Sequence, residues 1–117
     1  MSVAIRLRAD ALRTTGYAAI ATGNGSYVPV GTPFGQPMRM LLFQNFTDVA
    51  LYFSFTGNTD HFVLPSNGQF ILDICTNQSF EQGFYVMVGT QIWVTSIGSP
   101  AVNPMLGAVY VSSFYAV

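Results

Sequence analysis

Charged side chains are scarce in this sequence. Its 117 residues include four arginines, five acidic residues, one histidine and one cysteine, with no lysine and a formal net charge of −1. A typical soluble domain carries charge on about a quarter of its residues. Half of the chain is hydrophobic, which excludes intrinsic disorder because disordered chains are rich in charge and poor in apolar residues. The lack of a basic stripe argues against a nucleic-acid-binding module.

The length indicates a single domain, residues 1–117, that buries about two-thirds of its surface without disulfides or metal. So few charges are unusual for a freely soluble monomer, because surface charge suppresses association. We therefore expect other chains, including further copies of this one, to cover much of the exterior. The alternative is a monomer whose exterior is rich in serine, threonine, asparagine and glutamine.

Residues that could carry enzyme chemistry are few. His61 follows Asp60 directly, and neighbouring residues of a strand point to opposite faces, so this pair is poorly placed for a catalytic triad. A Gly-x-Ser-x-Gly motif and the His/Cys clusters that bind zinc are both missing. The acids lie in or beside predicted loops, where they commonly cap turns. We expect a non-enzymatic protein without catalytic residues, cofactor or metal site, although scattered loop carbonyls and acids leave calcium open.

The sequence also bears on the compartment. Cys75 is the single cysteine, so the chain cannot form an internal disulfide. Arginines lie where a signal peptide would need an apolar stretch, which indicates that the protein is not secreted. Residues 82–117 carry no charge, but glycine and proline at 98–104 interrupt any spanning helix. No membrane partner is expected.

The dominant period in the sequence is two, which is typical of β-strands with one face turned inward. Val49, Leu51, Phe53 and Phe55, for example, are expected on one face of a strand. The predicted strands are a first one through Val3, Ile5 and Leu7, then 38–45, 49–55, 61–64, 69–74, 84–88, 91–97 and 108–117.

The connecting segments carry turn signals. Residues 38–45 and 49–55 flank 46–48 as a predicted hairpin, and Gly89-Thr90 suits a type II′ turn joining 84–88 to 91–97. Residues 65–68 form a predicted turn and 31–37 a loop. Residues 9–15 are the one short helix-compatible stretch, and 17–30 is predicted to be a glycine-rich polar segment with a turn at Asn24-Gly25.

About eight strands at this spacing predict an all-β fold. We expect a single antiparallel β-sandwich, with the jelly roll as one arrangement that fits. Residues 1–16 would form an N-terminal strand or arm, and 38–117 the main run of strands.

Two groups of residues are candidates for a subunit interface. The arm carries Arg6, Arg8 and Arg13, whereas the rest of the chain is acidic, so the arm could dock on an acidic neighbouring surface. A solvated strand face is the alternative. The remaining candidates are Arg39, Tyr52, Trp93, Tyr110 and Phe114. Such aromatic residues commonly fill a core or an interface, and the alternative is a platform for stacking sugars.

Three stretches carry a resemblance: LLFQNFTDVALYFSFTGNTDHFVLPSNGQFILDICTNQS, then GFYVMVGTQIWV, then GAVYVSSFY. In their pattern of strands and turns they resemble small structural proteins of tailed-bacteriophage virions. The resemblance implies an all-β subunit that assembles symmetrically on the head or at the neck, and it brings no catalytic residue.

On this resemblance we expect a capsid decoration or cement protein that binds and stabilises the assembled head. Its partners would be further copies of itself and the major capsid protein or other virion proteins, within a virion assembled in the host cytoplasm. The arm and four polar loops would make the contacts, namely 56–60, 65–68, 75–82 and 98–107. The alternatives are a ring component of the neck or tail, and a carbohydrate-binding receptor module.

Overall fold

A computed structural model describes residues 6–73 and 86–116. Within these ranges the chain forms nine strands and one short helix. In chain order they are β1 (Leu7–Ala9), β2 (Arg13–Gly16), α1 (Tyr17–Gly23), β3 (Val28–Pro29), β4 (Met38–Asn45), β5 (Leu51–Ser54), β6 (Phe62–Leu64), β7 (Gly68–Asp73), β8 (Trp93–Ser96) and β9 (Ala108–Ala116).

The strands form two antiparallel sheets packed together, which confirms the predicted all-β sandwich. The first sheet has the order β1-β9-β4-β7, and β2 pairs with β9 beside β1, so β1 and β2 successively occupy one position. The second sheet has the order β3-β8-β5-β6. From β3 onward each strand except β6 lies in the sheet opposite its predecessor. This order is that of a jelly roll.

The inner faces of the two sheets form the core. Leu41 and Phe43 of β4 and Val111 of β9 face Phe53 of β5 and Val94 of β8, and all five side chains are buried. The Phe43 ring contacts Phe53 edge-on, with 6.0 Å between centroids. The predicted common face of β5 is confirmed, because Leu51 and Phe53 are buried and Val49 and Phe55 pack against the same cluster.

The predicted hairpin of 38–45 with 49–55 is wrong. Both strands exist, but β4 pairs with β7 and β9 whereas β5 pairs with β6 and β8. The chain between them crosses from one sheet to the other. A hairpin would place Phe43 and Phe53 side by side in one sheet, whereas the crossing lets them meet across the core.

The helix-compatible stretch at 9–15 contains no helix. Arg13–Gly16 forms β2 and pairs with β9 over Ala108 to Val111, so pairing with a strand distant in sequence overrides a weak local helical preference. The helix lies one step later, in Tyr17–Gly23, where three alanines favour it. Asn24 ends it in the left-handed conformation (φ 47°), with its N–H bonded to the Ala21 carbonyl. The predicted turn signal at Asn24-Gly25 therefore marks the end of a helix.

The predicted type II′ turn at Gly89-Thr90 is shifted by one residue. Thr90 N–H donates to the Met87 carbonyl and Gly89 has φ 88°, so Val88 and Gly89 are the central residues and glycine is the second of them. This arrangement suits a type II turn.

Five predicted segments lie wholly or partly outside the described residues, namely the first strand (Val3 to Leu7), 69–74, 75–82, 84–88 and 108–117. The strands at 69–74, 91–97 and 108–117 are confirmed where they are described, as β7, β8 and β9.

Replacing the central core ring should be costly. We expect Phe43→Ala to lower the free energy of unfolding by about 3–5 kcal/mol, because it removes an aromatic ring from a packed interior. Val63→Ala, at a position that is 50% exposed, should change it by less than about 0.5 kcal/mol. Urea denaturation of both variants measures the difference, and equal losses would contradict the assigned core.

Candidate assembly interface

The candidate interface residues lie in four separate places. Arg6 and Arg8 are exposed on the arm, as predicted. Arg13 and Arg39 are buried. Tyr110 and Phe114 are half-buried on β9 of the first sheet, whereas Tyr52 and Trp93 are half-buried on the second sheet. The structure therefore does not bring the predicted set together at one surface.

Two of the predicted interface arginines are interior residues, which corrects their assignment. Arg13 is 7% exposed and Arg39 is 3% exposed. Arg39 lies where the register between β4 and β9 shifts between Met38 and Met40. Such an irregularity sets two consecutive residues against one partner, and Met38 and Arg39 are both buried there. Neither guanidinium is presented to a neighbouring chain.

The Arg13 guanidinium holds three parts of the chain together. It lies 4.6 Å above the centre of the Phe34 ring and forms a 3.0 Å ion pair with Asp10. Its further hydrogen bonds go to the carbonyl oxygens of Thr32 (2.7 Å), Pro33 (3.2 Å) and Ala11 (3.2 Å) and to Oγ of Ser113 (3.2 Å). Arg13 thus joins the arm, the loop at 31–34 and β9. The positive charge exposed on the arm is that of Arg6 and Arg8.

The outer face of the first sheet is unusually apolar. Side chains alternate along a strand, so the residues between the buried ones face outward. Strand register places three such rows side by side, namely Ile71, Leu42 and Ser112; Asp73, Met40, Phe114 and Ala9; and Gln69, Gln44, Tyr110 and Thr14. We name Met40, Leu42, Ile71, Tyr110 and Phe114 the outer apolar face. Asp73 is the one formal charge in these rows.

A solvated face of an antiparallel sheet normally carries polar residues. Here Ile71 is 57% exposed, and the other four members of the outer apolar face are half-buried. Apolar residues on both sides of a strand are typical of sheets covered on both faces. The first sheet therefore has the composition of a sheet whose outer side is also covered.

A second apolar group continues this face at one end of the sandwich. Tyr17, Phe46, Met105 and Leu106 are exposed there, Met105 to 78%, and we name them the loop-end patch. The Phe46 ring lies 5.9 Å from that of Tyr110, which joins the patch to the outer apolar face. Tyr17 N–H donates to the Gly107 carbonyl at 3.0 Å, so three connecting segments meet at this patch.

A buried polar network holds Phe46 outward. The side-chain amide of Asn45 donates to the carbonyl oxygens of Val49 (2.9 Å), Leu64 (3.0 Å) and Pro65 (3.2 Å). Its oxygen accepts the N–H (3.1 Å) and hydroxyl (2.6 Å) of Thr47. Asn45 and Thr47 are both buried, so the backbone on either side of Phe46 is held in place and directs its side chain outward. Exposed aromatic rings that are already ordered lose little entropy on binding.

Gly107 brings the last loop against Phe46. Its φ is 88°, and a Cβ atom at this position would collide with the Phe46 carbonyl oxygen. Asp48 fixes the same loop from the other side, because Oδ1 accepts the Met105 N–H at 2.9 Å. The predicted contact loop at 98–107 is thus confirmed as a loop, but it presents apolar side chains rather than polar ones.

Trp93 and Tyr52 belong to a different surface. Trp93 pairs in register with Ser54 and Pro29, and Tyr52 with Thr95 and Val63, all in the second sheet. A Cβ atom built on Gly57 would lie 2.9–3.1 Å from three atoms of the Trp93 indole. A point that close to Cε2, Cδ2 and Nε1 together lies over the ring, so the 56–60 loop occupies one face of the indole.

Sequence reasoning missed Met40, Leu42 and Ile71, and it missed the loop-end patch at Phe46, Met105 and Leu106. A signal was present in β4, where 40–43 is an unbroken apolar run. A strand with one solvated face should alternate, so this run indicates that both faces are covered. The loop-end patch had no such signal, because its members come from segments that meet only in the fold.

Comparison with known proteins assigns no family. No protein-family model matches the chain, and no curated protein matches it significantly. None of the helical structure within 6–73 and 86–116 has the length and apolarity needed to cross a membrane. The same ranges hold no group of three or more His, Cys, Asp or Glu side chains suited to a metal ion.

Arg13 should be far more important for stability than its exposed neighbour. We expect Arg13→Met to lower the free energy of unfolding by about 2–3 kcal/mol, because buried carbonyl oxygens lose a charged donor. Arg8→Met is the matched control and should change it by less than about 0.5 kcal/mol. Thermal and urea unfolding measure both values. An Arg13→Met protein as stable as Arg8→Met would show that the contacts of Arg13 are dispensable.

Gly107 and Gly89 form a second matched pair, because both have φ 88°. Gly89 has open space where a side chain would begin, so Gly89→Ala should cost only the ~1–2 kcal/mol of a left-handed alanine. Gly107→Ala should cost a further ~1–3 kcal/mol for the clash with Phe46. Chemical denaturation compares the two, and equal costs would contradict the packing of the loop on Phe46.

Proposed function

We propose that this protein is a non-enzymatic structural subunit, and specifically a decoration or cement protein of a tailed-phage head. The observation that carries the proposal is the outer apolar face of the first sheet together with the adjoining loop-end patch. In this proposal further copies of the chain and the major capsid protein cover these surfaces.

The size of the outer apolar face suits repeated weak contacts. Four strand positions span about 19 Å and three rows about 20 Å, so the three rows together offer roughly 400 Å², of which the outer apolar face is only a part. A stable pairwise complex buries about 800 Å² on each partner. A single contact of this size is weak, but many such contacts in a symmetric shell reinforce one another, because each bound subunit raises the effective concentration for the next.

The charge distribution supports the same function. Asp73 is the single formal charge in the three outer rows, while Arg6 and Arg8 are exposed on the arm at the opposite edge of that sheet. The outer apolar face can then bury apolar area against a neighbouring subunit, while the arm steers and orients docking on an acidic surface of that subunit. The resemblance to small virion proteins supplies the step from an assembly subunit to a phage head.

Four of the ionisable side chains take part in bonds that hold the fold, which supports a non-enzymatic function. Asp10 pairs with Arg13, and Asp48 accepts the Met105 N–H. Asp60 accepts the Tyr27 hydroxyl, and Nδ1 of His61 accepts the Phe55 N–H. A sugar-binding platform at Trp93 is disfavoured, because Gly57 occupies one face of the indole that would stack on a sugar.

Association should depend on the outer apolar face and not on the outer side of the second sheet. We expect the isolated protein to self-associate weakly as its concentration is raised toward millimolar, and Ile71→Gln to shift it toward monomer by replacing apolar contact area with a polar amide. Val63→Gln is the control, since Val63 is 50% exposed and lies in the second sheet. Sedimentation velocity measures association, and circular dichroism confirms that both variants fold.

A wild-type protein that stays monomeric, or an Ile71→Gln protein that associates as the wild type does, would contradict this self-interface. The place in the particle is tested separately by quantitative mass spectrometry of purified virions. A cement protein should be present at a copy number comparable to that of the major capsid protein. A copy number equal to that of a single ring would instead indicate the neck or tail alternative.

A further inference from the structure

The one histidine of the chain closes the loop between β5 and β6. The His61 N–H donates to the Phe53 carbonyl at 3.0 Å, which extends the pairing of the two strands. The side chain folds back so that Nδ1 lies 3.0 Å from the Phe55 nitrogen, and the ring centroid lies 5.7 Å from that of Phe55. His61 therefore bonds the start of the loop twice, once through its backbone and once through its side chain.

The direction of the bond to Phe55 fixes the state of the imidazole. A backbone N–H can only donate, so Nδ1 must offer a lone pair and the proton of the neutral ring must lie on Nε2. A doubly protonated imidazole has no acceptor and cannot make this bond. Histidine is the residue type whose change of charge lies nearest to neutral pH, and protonation of the ring would remove the acceptor for this bond.

The rest of the loop depends on the same closure. Ser54 Oγ accepts the N–H groups of Thr56 (3.1 Å) and Gly57 (2.9 Å), and Ser54 Oγ itself lies 3.4 Å from Nδ1 of His61. These bonds hold Gly57 against the face of the Trp93 indole. The His61 ring thus connects, through Ser54, to the packing of the single tryptophan.

We propose that His61 is a pH-sensitive clasp for the loop at 55–60. Protonation of the ring releases the Phe55 N–H, places a second donor toward Ser54 and loosens the loop over Trp93. The neighbouring ionisable groups are Asp60, next in sequence, and Tyr27, whose hydroxyl donates to Asp60. This inference does not rest on the proposed virion function.

Trp93 is a built-in reporter for the test. Between pH 8 and 5.5 we expect its emission to shift to the red and its quenching by acrylamide to increase. The hydrogen-exchange protection factor of the Phe55 amide should fall by about fivefold over the same range, as expected for the loss of one hydrogen bond. Measurements are made at a concentration where sedimentation shows one species throughout.

Three variants separate His61 from other titrating groups. In His61→Asn the side-chain oxygen stands where Nδ1 was and accepts the N–H without titrating, so the pH transition should vanish with the loop closed. His61→Ala should give the open signal at every pH, and Asp60→Asn should keep the transition. A transition that persists in His61→Asn, or none in the wild type, would overturn the proposal. If the variants fail to fold, ¹⁵N spectra of the wild-type imidazole decide it, because a proton on Nδ1 at pH 8 would contradict the clasp.

Discussion

Packing around the Phe43 ring is the constraint on which the rest of the structure depends. This ring contacts the rings of Phe53, Phe55, Phe62 and Phe70, which come from both sheets, at centroid distances of 5.0–6.0 Å. Such an arrangement requires β4 and β5 to face each other across the core. The chain must therefore leave one sheet directly after β4 and enter the other. The jelly-roll order of the strands follows from this crossing and from the similar ones before and after it.

Connections that cross between the sheets leave backbone carbonyl groups in need of a hydrogen-bond donor, and Asn45 supplies it. At the end of β4 the Asn45 amide donates to the carbonyl groups of Val49, which precedes β5, and of Leu64 and Pro65, which precede β7. Buried backbone carbonyls without a donor are destabilising, so this one side chain supports two connections. The same network holds Phe46 on the surface between two buried neighbours. The Asn45 network that supports these connections thus also places Phe46 in the loop-end patch, through which the proposed assembly would form.

The sequence predicted the sheets better than their connections. Alternation in 51–55 and 108–116 is a local property, so these strands and the class of fold could be predicted. The turn at 46–48 indicates a reversal of the chain, but nothing local states which sheet the next strand joins. The strand β2 is decided by pairing with β9, far along the chain. Arg13 could not be assigned to the interior because its partners Thr32, Pro33 and Ser113 are distant in sequence. The apolar run at 40–43 was the one local sign of the outer apolar face.

The central claim is that the outer apolar face is covered in an assembly. Density for an intact particle that contains this chain tests it most directly, because it shows which side of the sandwich meets a neighbour. We expect Met40, Leu42 and Ile71 to contact another chain, and Phe46 to insert at the same boundary. A particle in which this face points into solvent, with the second sheet making the contacts instead, would contradict it.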